Sequence, residues 1–282
     1  VSLLMLLPVG GLVVFLAVQY VREQWRARAT HPAAQANEAT VLPAPHRSAK
    51  VPVAATKPIA AAQHHGDIVL ILDDVGFDRQ PLDGAMRIDP NVNFAVLPNS
   101  QHAHDVAQEL DARGFELLCH LPMEPESTKV SPGANAVLTT MTDAQIAATT
   151  RANVDAIPHV RGVNNHMGSR ATSDRRVMTQ VLSSLPKGLY FIDSRTSSAS
   201  LGAEIARSMK IKTASRSVFL DDVQSEAAIR TQLAALVAAA QTHGVAIGIG
   251  HMYPETVRVL SAEAPLLRAR GVRFLRASAA VN

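Results

Sequence analysis

Several short stretches of this chain carry side chains able to do hydrolytic chemistry, and most of them directly follow an apolar run. Ile68-Val69-Leu70-Ile71-Leu72 leads into Asp73-Asp74, and Phe115–Cys119 leads into His120. Leu189–Ile192 leads into Asp193, and Val218–Leu220 into Asp221-Asp222. Val245–Ile249 reaches His251 after Gly250, and Val92–Leu97 reaches Asn99 after Pro98. A polar cluster, Asn164-Asn165-His166-Met167-Gly168-Ser169, adds another histidine. Adjacent carboxylates such as Asp73 and Asp74 suit two jobs: one ligates a divalent cation, the other takes a proton from the water that the cation activates. Aspartate with two histidines, as in Asp74, His120 and His166, is a donor set for zinc or another divalent transition metal with a position open to water. A carboxylate beside a histidine orients the ring and raises its pKa. Asp193 with His251 would then supply a general acid. Glu124, four residues beyond His120, is a second candidate for the third ligand or a plain loop carboxylate. Cys119 sits inside an apolar run and reads as a core residue. No nucleophile elbow, phosphate-binding loop or dinucleotide fingerprint is present.

These residues need a scaffold that gathers strand ends. Continuous apolar runs are expected of strands buried on both faces, as in a parallel sheet. A further run at Val272–Leu275 brings the expected strands to about seven. Helical stretches lie between them: Arg79–Ile88, His102–Arg113, Asp143–Ile157, Ser173–Leu185, Ser200–Met209, Ser225–His243 and Glu255–Arg270. Gly114, Gly188, Gly244 and Gly271 stand where helix C-caps need a left-handed residue. The alternation predicts one α/β domain over residues 67–282, a barrel or a doubly wound sheet. In a parallel barrel the C-terminal strand ends share one rim, where the polar residues would meet.

The composition fits that reading. Of 282 residues, 47% are hydrophobic and 18% charged, which excludes a chain disordered throughout. A single cysteine excludes a disulfide framework. The net charge of +3 belongs to residues 1–66, because 67–282 hold 21 basic and 22 acidic side chains. The body therefore has no basic character suited to nucleic acid. Val1–Val21 has no charged residue and, as a helix, would span about 31 Å, close to a bilayer core. Tyr20 and Trp25 stand where an interfacial belt would lie, beside Arg22, Arg26 and Arg28. An uncleaved anchor is expected rather than a cleaved signal, since Ala27-Arg28-Ala29 is a poor cleavage site. Arginines that follow the segment would by themselves favour a cytoplasmic body. Residues 22–66, rich in Ala and Pro, read as a linker that ends in His64-His65 and Gly66.

Together the motifs resemble the divergent polysaccharide deacetylases, the YibQ-like branch of the NodB-homology carbohydrate esterases. The likeness covers about Asp67 to Ala279. It is carried by Ile71-Leu72-Asp73-Asp74-Val75-Gly76, by Gly114 to Glu124, by Gly162 to Ser169, by Phe191-Ile192-Asp193-Ser194-Arg195 and by Ile247-Gly248-Ile249-Gly250-His251. The resemblance implies a distorted (β/α) barrel and an extracytoplasmic location. That means an inner-membrane, single-pass protein with a periplasmic domain, or a protein secreted to the periplasm. It also implies a metal-dependent hydrolase acting on N-acetylated or related cell-envelope glycans, including peptidoglycan. In such enzymes the first motif supplies a base and then a ligand, matching Asp73 and Asp74. The second supplies two histidines, of which His120 matches while Glu124 holds the other place, so His166 becomes the third ligand. The late histidine, the general acid, matches His251, with Asp193 as its orienting carboxylate. The family's Arg-x-Pro-Tyr motif has no counterpart. The alternative reading is a catalytically inactive glycan-binding or scaffold protein of the envelope.

Overall fold

Unbroken aliphatic stretches can bury both faces of a strand only if helices cover one side and a filled interior the other. The computed structural model, which describes residues 66–77 and 81–282, shows this arrangement. The expected anchor and all but the last residue of the linker lie outside the described residues. No helix among the described residues is long and apolar enough to cross a membrane. Among the described residues nine strands form one sheet: β1 (Asp67–Val75), β2 (Asn93–Val96), β3 (Glu116–Met123), β4 (Gly162–Met167), β5 (Tyr190–Asp193), β6 (Thr213–Ser215), β7 (Val218–Phe219), β8 (Val245–His251) and β9 (Arg273–Phe274). The described helices are α1 (Leu82–Met86), α2 (Ala103–Ala112), α3 (Asp143–Asp155), α4 (Arg175–Ser183), α5 (Gly202–Ser208), α6 (Glu226–His243) and α7 (Pro254–Ala269).

Every ladder is parallel, in the order β6-β5-β4-β3-β2-β1-β8-β7, with β9 beside β1 off this path. The strands beyond the expected seven are β4 and β6, which carry polar or very short sequences rather than apolar runs. The two edge strands of the path, β6 and β7, are joined by Arg216 and Ser217 alone. Three Cα steps span at most about 11 Å. The sheet must therefore curl until its edges nearly meet, which makes a curled, barrel-like α/β fold.

Period-two alternation layers the interior. Val69, Ile71, Ala95, Leu118, Ile192, Ile247 and Ile249 pack as one apolar cluster inside the curl. Two residues further along their strands stand Asp73, His120, Ser194 and His251. At the opposite end Glu116, Asn93 and Tyr190 meet the segment Leu275–Asn282. Gly162 is required there, because a Cβ at that position would lie 2.2 Å from the Tyr190 ring. Larger apolar layers, one containing Phe94, Leu110 and Leu236 and the other Val163, Phe191 and Met178, complete the core. Helix starts follow their sequence signals: Thr142 and Gln145 form a capping box on α3, and Asp174 and Ser225 cap α4 and α6.

Candidate metal centre

Adjacent residues of a regular strand face opposite sides, so Asp73 and Asp74 could not both enter the curl from an unbroken β1. The β1–β2 register shifts between Leu72 and Val75, and Asp74 adopts a φ of 58°. Aspartate is among the few side chains that tolerate this left-handed conformation. The irregularity turns both carboxylates onto one histidine: His120 Nε2 lies 3.5 Å from Asp73 Oδ2 and 3.3 Å from Asp74 Oδ1.

Strand register supplies the second ring. β3 pairs with β4 so that His120 lies opposite Asn164 and Pro122 opposite His166. His166 thus stands one inward position beyond His120. Its Nδ1 is 3.1 Å from His120 Nε2 and 3.0 Å from Asp74 Oδ1. These three atoms form a triangle with sides of 3.0, 3.1 and 3.3 Å. Tetrahedral zinc with bonds of about 2.0–2.1 Å separates its ligand atoms by about 3.3 Å, so the triangle matches one face of that polyhedron. Asp74 Oδ1 is buried and receives no well-formed hydrogen bond, despite two imidazole nitrogens beside it. Two imidazole nitrogens beside an orphaned carboxylate oxygen make a three-atom set that fits a cation. Burial alone would raise the Asp74 pKa, but His120 and His166 hold it far below the usual carboxylate range.

Asn164 sets the proton on His120. Its Nδ2 donates to Asp73 Oδ1 at 2.8 Å, since an ionised carboxylate can only accept. Its Oδ1 then faces His120 Nδ1 at 2.9 Å. Nδ1 must carry the hydrogen, so in the neutral ring the Nε2 lone pair is directed at the triangle; burial favours that neutral form, while Asp73 and Asp74 raise the His120 pKa. Asp73 is only 3% exposed. Burial raises its pKa against the lowering pull of His120, His251 and Asn164.

The ladder between β1 and β8 puts His251 directly across from Asp73. Here the structure corrects the sequence reading: the carboxylate on His251 is Asp221, not Asp193. Asp221 Oδ1 lies 3.0 Å from His251 Nδ1, and its Oδ2 accepts from the His251 N–H and the Thr256 hydroxyl. The reason is strand order, because β7 is the neighbour of β8 while β5 lies on the far side of β1. Asp193 instead accepts from Arg195 N–H, the Ser200 hydroxyl and Ala203 N–H, binding the β5–α5 loop to the start of α5. Burial disfavours the His251 imidazolium, yet Asp221, aided by Asp73 and Asp74, lifts its pKa to about 9. Glu124 does not join the cluster either. Its Oε2 accepts from the backbone N–H and hydroxyl of Thr139, both at 2.6 Å.

Asn164 and Arg216 were not assigned roles from sequence. The Arg216 guanidinium donates to the carbonyls of Ser194 and Arg195 and lies over the Phe219 ring, which packs edge-on against His251. An arginine in a short inter-strand link gives no periodic signal by which to find it.

Residues 70–281 match the family profile described as divergent polysaccharide deacetylase. The chain belongs to that family. Among curated relatives it is 37% identical over 196 residues to the uncharacterized protein YibQ of Escherichia coli K12, covering 69% of this chain and 61% of YibQ. It is 33% identical over 197 residues to an uncharacterized protein of Haemophilus influenzae, covering 69% of this chain and 70% of that protein. Among solved structures, an uncharacterized protein of Agrobacterium tumefaciens C58 superposes with a TM-score of 0.73 at 23% identity, covering 79% of this chain and 92% of that one. That likeness establishes a shared fold. In this deacetylase-family chain the triangle is completed from β4 by His166, while Glu124 four residues past His120 serves the loop at Thr139.

Proposed function

We propose that the protein is a metal-dependent hydrolase that removes an acyl group from N-acetylated or related glycans of the cell envelope. One observation carries this reading. Asp73 and Asp74 converge on His120, and His251 with its own carboxylate stands across from Asp73. Asp74, His120 and His166 would hold the ion, zinc being the best match to an Asp/His/His set. A divalent cation there would polarise the acyl carbonyl and acidify a neighbouring water. Asp73 Oδ1 is occupied by Asn164, so Oδ2 is the atom that takes the water proton. The water oxygen bonds to the acyl carbon as the C–N or C–O bond breaks. His251 keeps Nδ1–H on Asp221 and donates its Nε2 proton to the departing nitrogen or oxygen. Its raised pKa keeps the ring charged at neutral pH, as an acid requires.

Two carboxylates and an imidazolium on one rim are otherwise costly to keep together. Buried ionic groups persist where pairing offsets the loss of hydration. The uncharged run Val1–Val21 supports a membrane anchor, and the family resemblance, against the arginines that follow the run, favours residues 67–282 in the periplasm. The testing experiment is acetate release by zinc-loaded full-length protein from a panel of N-acetylated oligosaccharides and peptidoglycan fragments. Binding without release across the panel would favour a scaffold role.

A further inference from the structure

The two ends of the curl differ in charge. Seven loops lead from a helix into the next strand, at the end opposite the metal centre. Together they carry seven arginines or lysines and one acid, Asp89, which Arg268 holds. Among the described residues, the loops that lead from a strand to a helix, at the metal end, carry five acids and three bases. Residues 67–282 as a whole hold 21 basic and 22 acidic side chains, so the charges are segregated within a body that is close to neutral.

The cations concentrate where α4 and α5 give way to β5 and β6. Lys187, Arg207, Lys210 and Lys212 line two adjoining open clefts of about 880 and 610 Å³, together with Pro186 and Ile211. All four cations are exposed, and among the described residues none is in an ion pair. Glu204, one turn before Arg207, is bound by Arg175 at 2.8 Å. A carboxylate at Asn282, which lines the second cleft, would offset one charge of the four. Complementing the helix dipole accounts for one cation at the end of each helix. The seven-residue α5 has Arg207 in its last turn and two lysines beyond it.

The described chain enters at this same end. The Gly66 carbonyl accepts from Arg273 N–H at 3.3 Å, and a Cβ on Gly66 would lie 2.7 Å from the Ala240 carbonyl carbon, one turn from the end of α6. The segment Leu275–Asn282 crosses the end from β1 to β6. Its Leu275 N–H donates to the Ile68 carbonyl at 2.8 Å, and its Asn282 carbonyl accepts from Thr213 N–H at 3.1 Å. The entry point and the lysine clefts thus share one end. Residues 22–65 reach at most about 150 Å. A connection of that length holds a domain near a bilayer without selecting the end that meets it.

We propose that this end docks on anionic phospholipid headgroups, with Lys187, Arg207, Lys210 and Lys212 as the contacts, and so turns the metal centre away from the bilayer. Phosphodiester oxygens accept from ammonium and guanidinium groups, and Pro186 and Ile211 add apolar area beside them. Each cation near an anionic leaflet is worth about fivefold in affinity. Lipid is favoured over a soluble polyanion because a tether keeps lipid at high effective concentration. That a membrane is near rests on the anchor reading of Val1–Val21. The affinity of the patch for lipid does not.

The test is amide hydrogen exchange of the full-length protein in nanodiscs of phosphatidylcholine, or of equal parts phosphatidylcholine and phosphatidylglycerol. Residues 185–189 and 209–212 should exchange about threefold more slowly, or slower still, in the anionic discs. The difference should vanish in about 1 M salt, where charges are screened within about 3 Å. Lys187→Gln, Lys210→Gln and Lys212→Gln together should remove about 10²-fold of lipid affinity and abolish the difference. Lys187→Arg, Lys210→Arg and Lys212→Arg together should keep it. Circular dichroism and zinc content should be unchanged in both variants. Equal exchange in the two lipids, protection that survives the glutamine changes, or slower exchange at residues 124–135 instead would each overturn the docking. Stronger protection by dextran sulfate in neutral discs than by anionic lipid would assign the patch to a soluble polyanion and overturn it as well. A full-length protein that stays soluble and enters no disc would remove the anchor. Slower exchange of the two segments with anionic than with neutral vesicles would then leave the patch standing, and equal exchange would remove both.

Discussion

His251 and Asp221 are joined twice: the ring Nδ1 lies 3.0 Å from one carboxylate oxygen, and the backbone N–H of the same histidine donates to the other at 2.6 Å. This double tie fixes both the position and the charge of the ring. Gly250, immediately before it, eases the approach, since a Cβ there would stand 3.1 Å from Asp221 Oδ2 and the carboxylate would have to shift.

The first prediction concerns that charge. Burial lowers the pKa of His251, and Asp221 more than reverses this, so the folded value of about 9 exceeds the ordinary value of 6.5. The stability this contributes is therefore complete below pH 6.5 and is lost as pH rises through about 9. Asp221→Asn keeps the shape and removes the counter-charge. The imidazole NMR titration of the metal-free protein should then move its midpoint down by more than one unit (~1.4 kcal/mol). An unmoved midpoint would dismiss Asp221 as the source of the shift.

The second concerns the base. Asp73→Asn can keep its hydrogen bond to Asn164 through the remaining oxygen, so folding and zinc content should hold. Turnover on acetylated oligosaccharides should fall by about 10²-fold or more, the usual contribution of a positioned base. Activity within a fewfold of wild type would place the base elsewhere.

The third separates the two candidates for the last ligand. His166→Ala should sharply reduce zinc occupancy, since a vertex of the triangle is lost. Glu124→Ala should retain zinc and instead free the Thr139 segment, raising its amide exchange. Full zinc retention by His166→Ala, measured by elemental analysis after dialysis, would remove His166 from the centre.

Asp73, His120 and His251 were legible because each follows an apolar strand whose period of two points it into the curl, while Asp74 was legible only as the second carboxylate of its pair. Strand order and register were not legible. His166 reaches His120 because β4 pairs with β3 two residues in step, and β4 itself is the polar stretch Gly162–Met167 with no apolar run to announce it. Asp221 rather than Asp193 holds His251 because β7, not β5, is beside β8. The irregularity at Asp73-Asp74 was hidden for a similar reason. It is defined against β2, and a sequence shows one strand at a time.

The fourth prediction concerns the segment outside the described residues. With Val1–Val21 as an anchor, the native protein should sediment with inner membranes. It should be cut by added protease only after the outer membrane is opened. A wholly soluble native protein that begins near Thr30 would identify a cleaved signal instead.

The fifth concerns the far end of the curl, away from the chemistry. Glu116 is 6% exposed, and its carboxylate accepts from the Tyr190 hydroxyl at 2.8 Å, from Ser278 N–H at 2.7 Å and from the Ser278 hydroxyl. Burial, with Glu116 beside it, raises the Tyr190 pKa, so the phenol stays a donor. Glu116→Ala would leave these donors unpaired in a dry interior, at a cost of about 3 kcal/mol or more. Glu116→Gln keeps an acceptor and should cost about 1 kcal/mol. Denaturant midpoints should follow that order. Zinc content should stay constant across both variants, because the apolar layer of Ile71, Leu118, Ile192 and Ile249 separates the two polar ends. Loss of zinc in Glu116→Gln at an unchanged midpoint would mean that the two ends are coupled through the interior. The apolar layer would then not be the insulator that its packing implies.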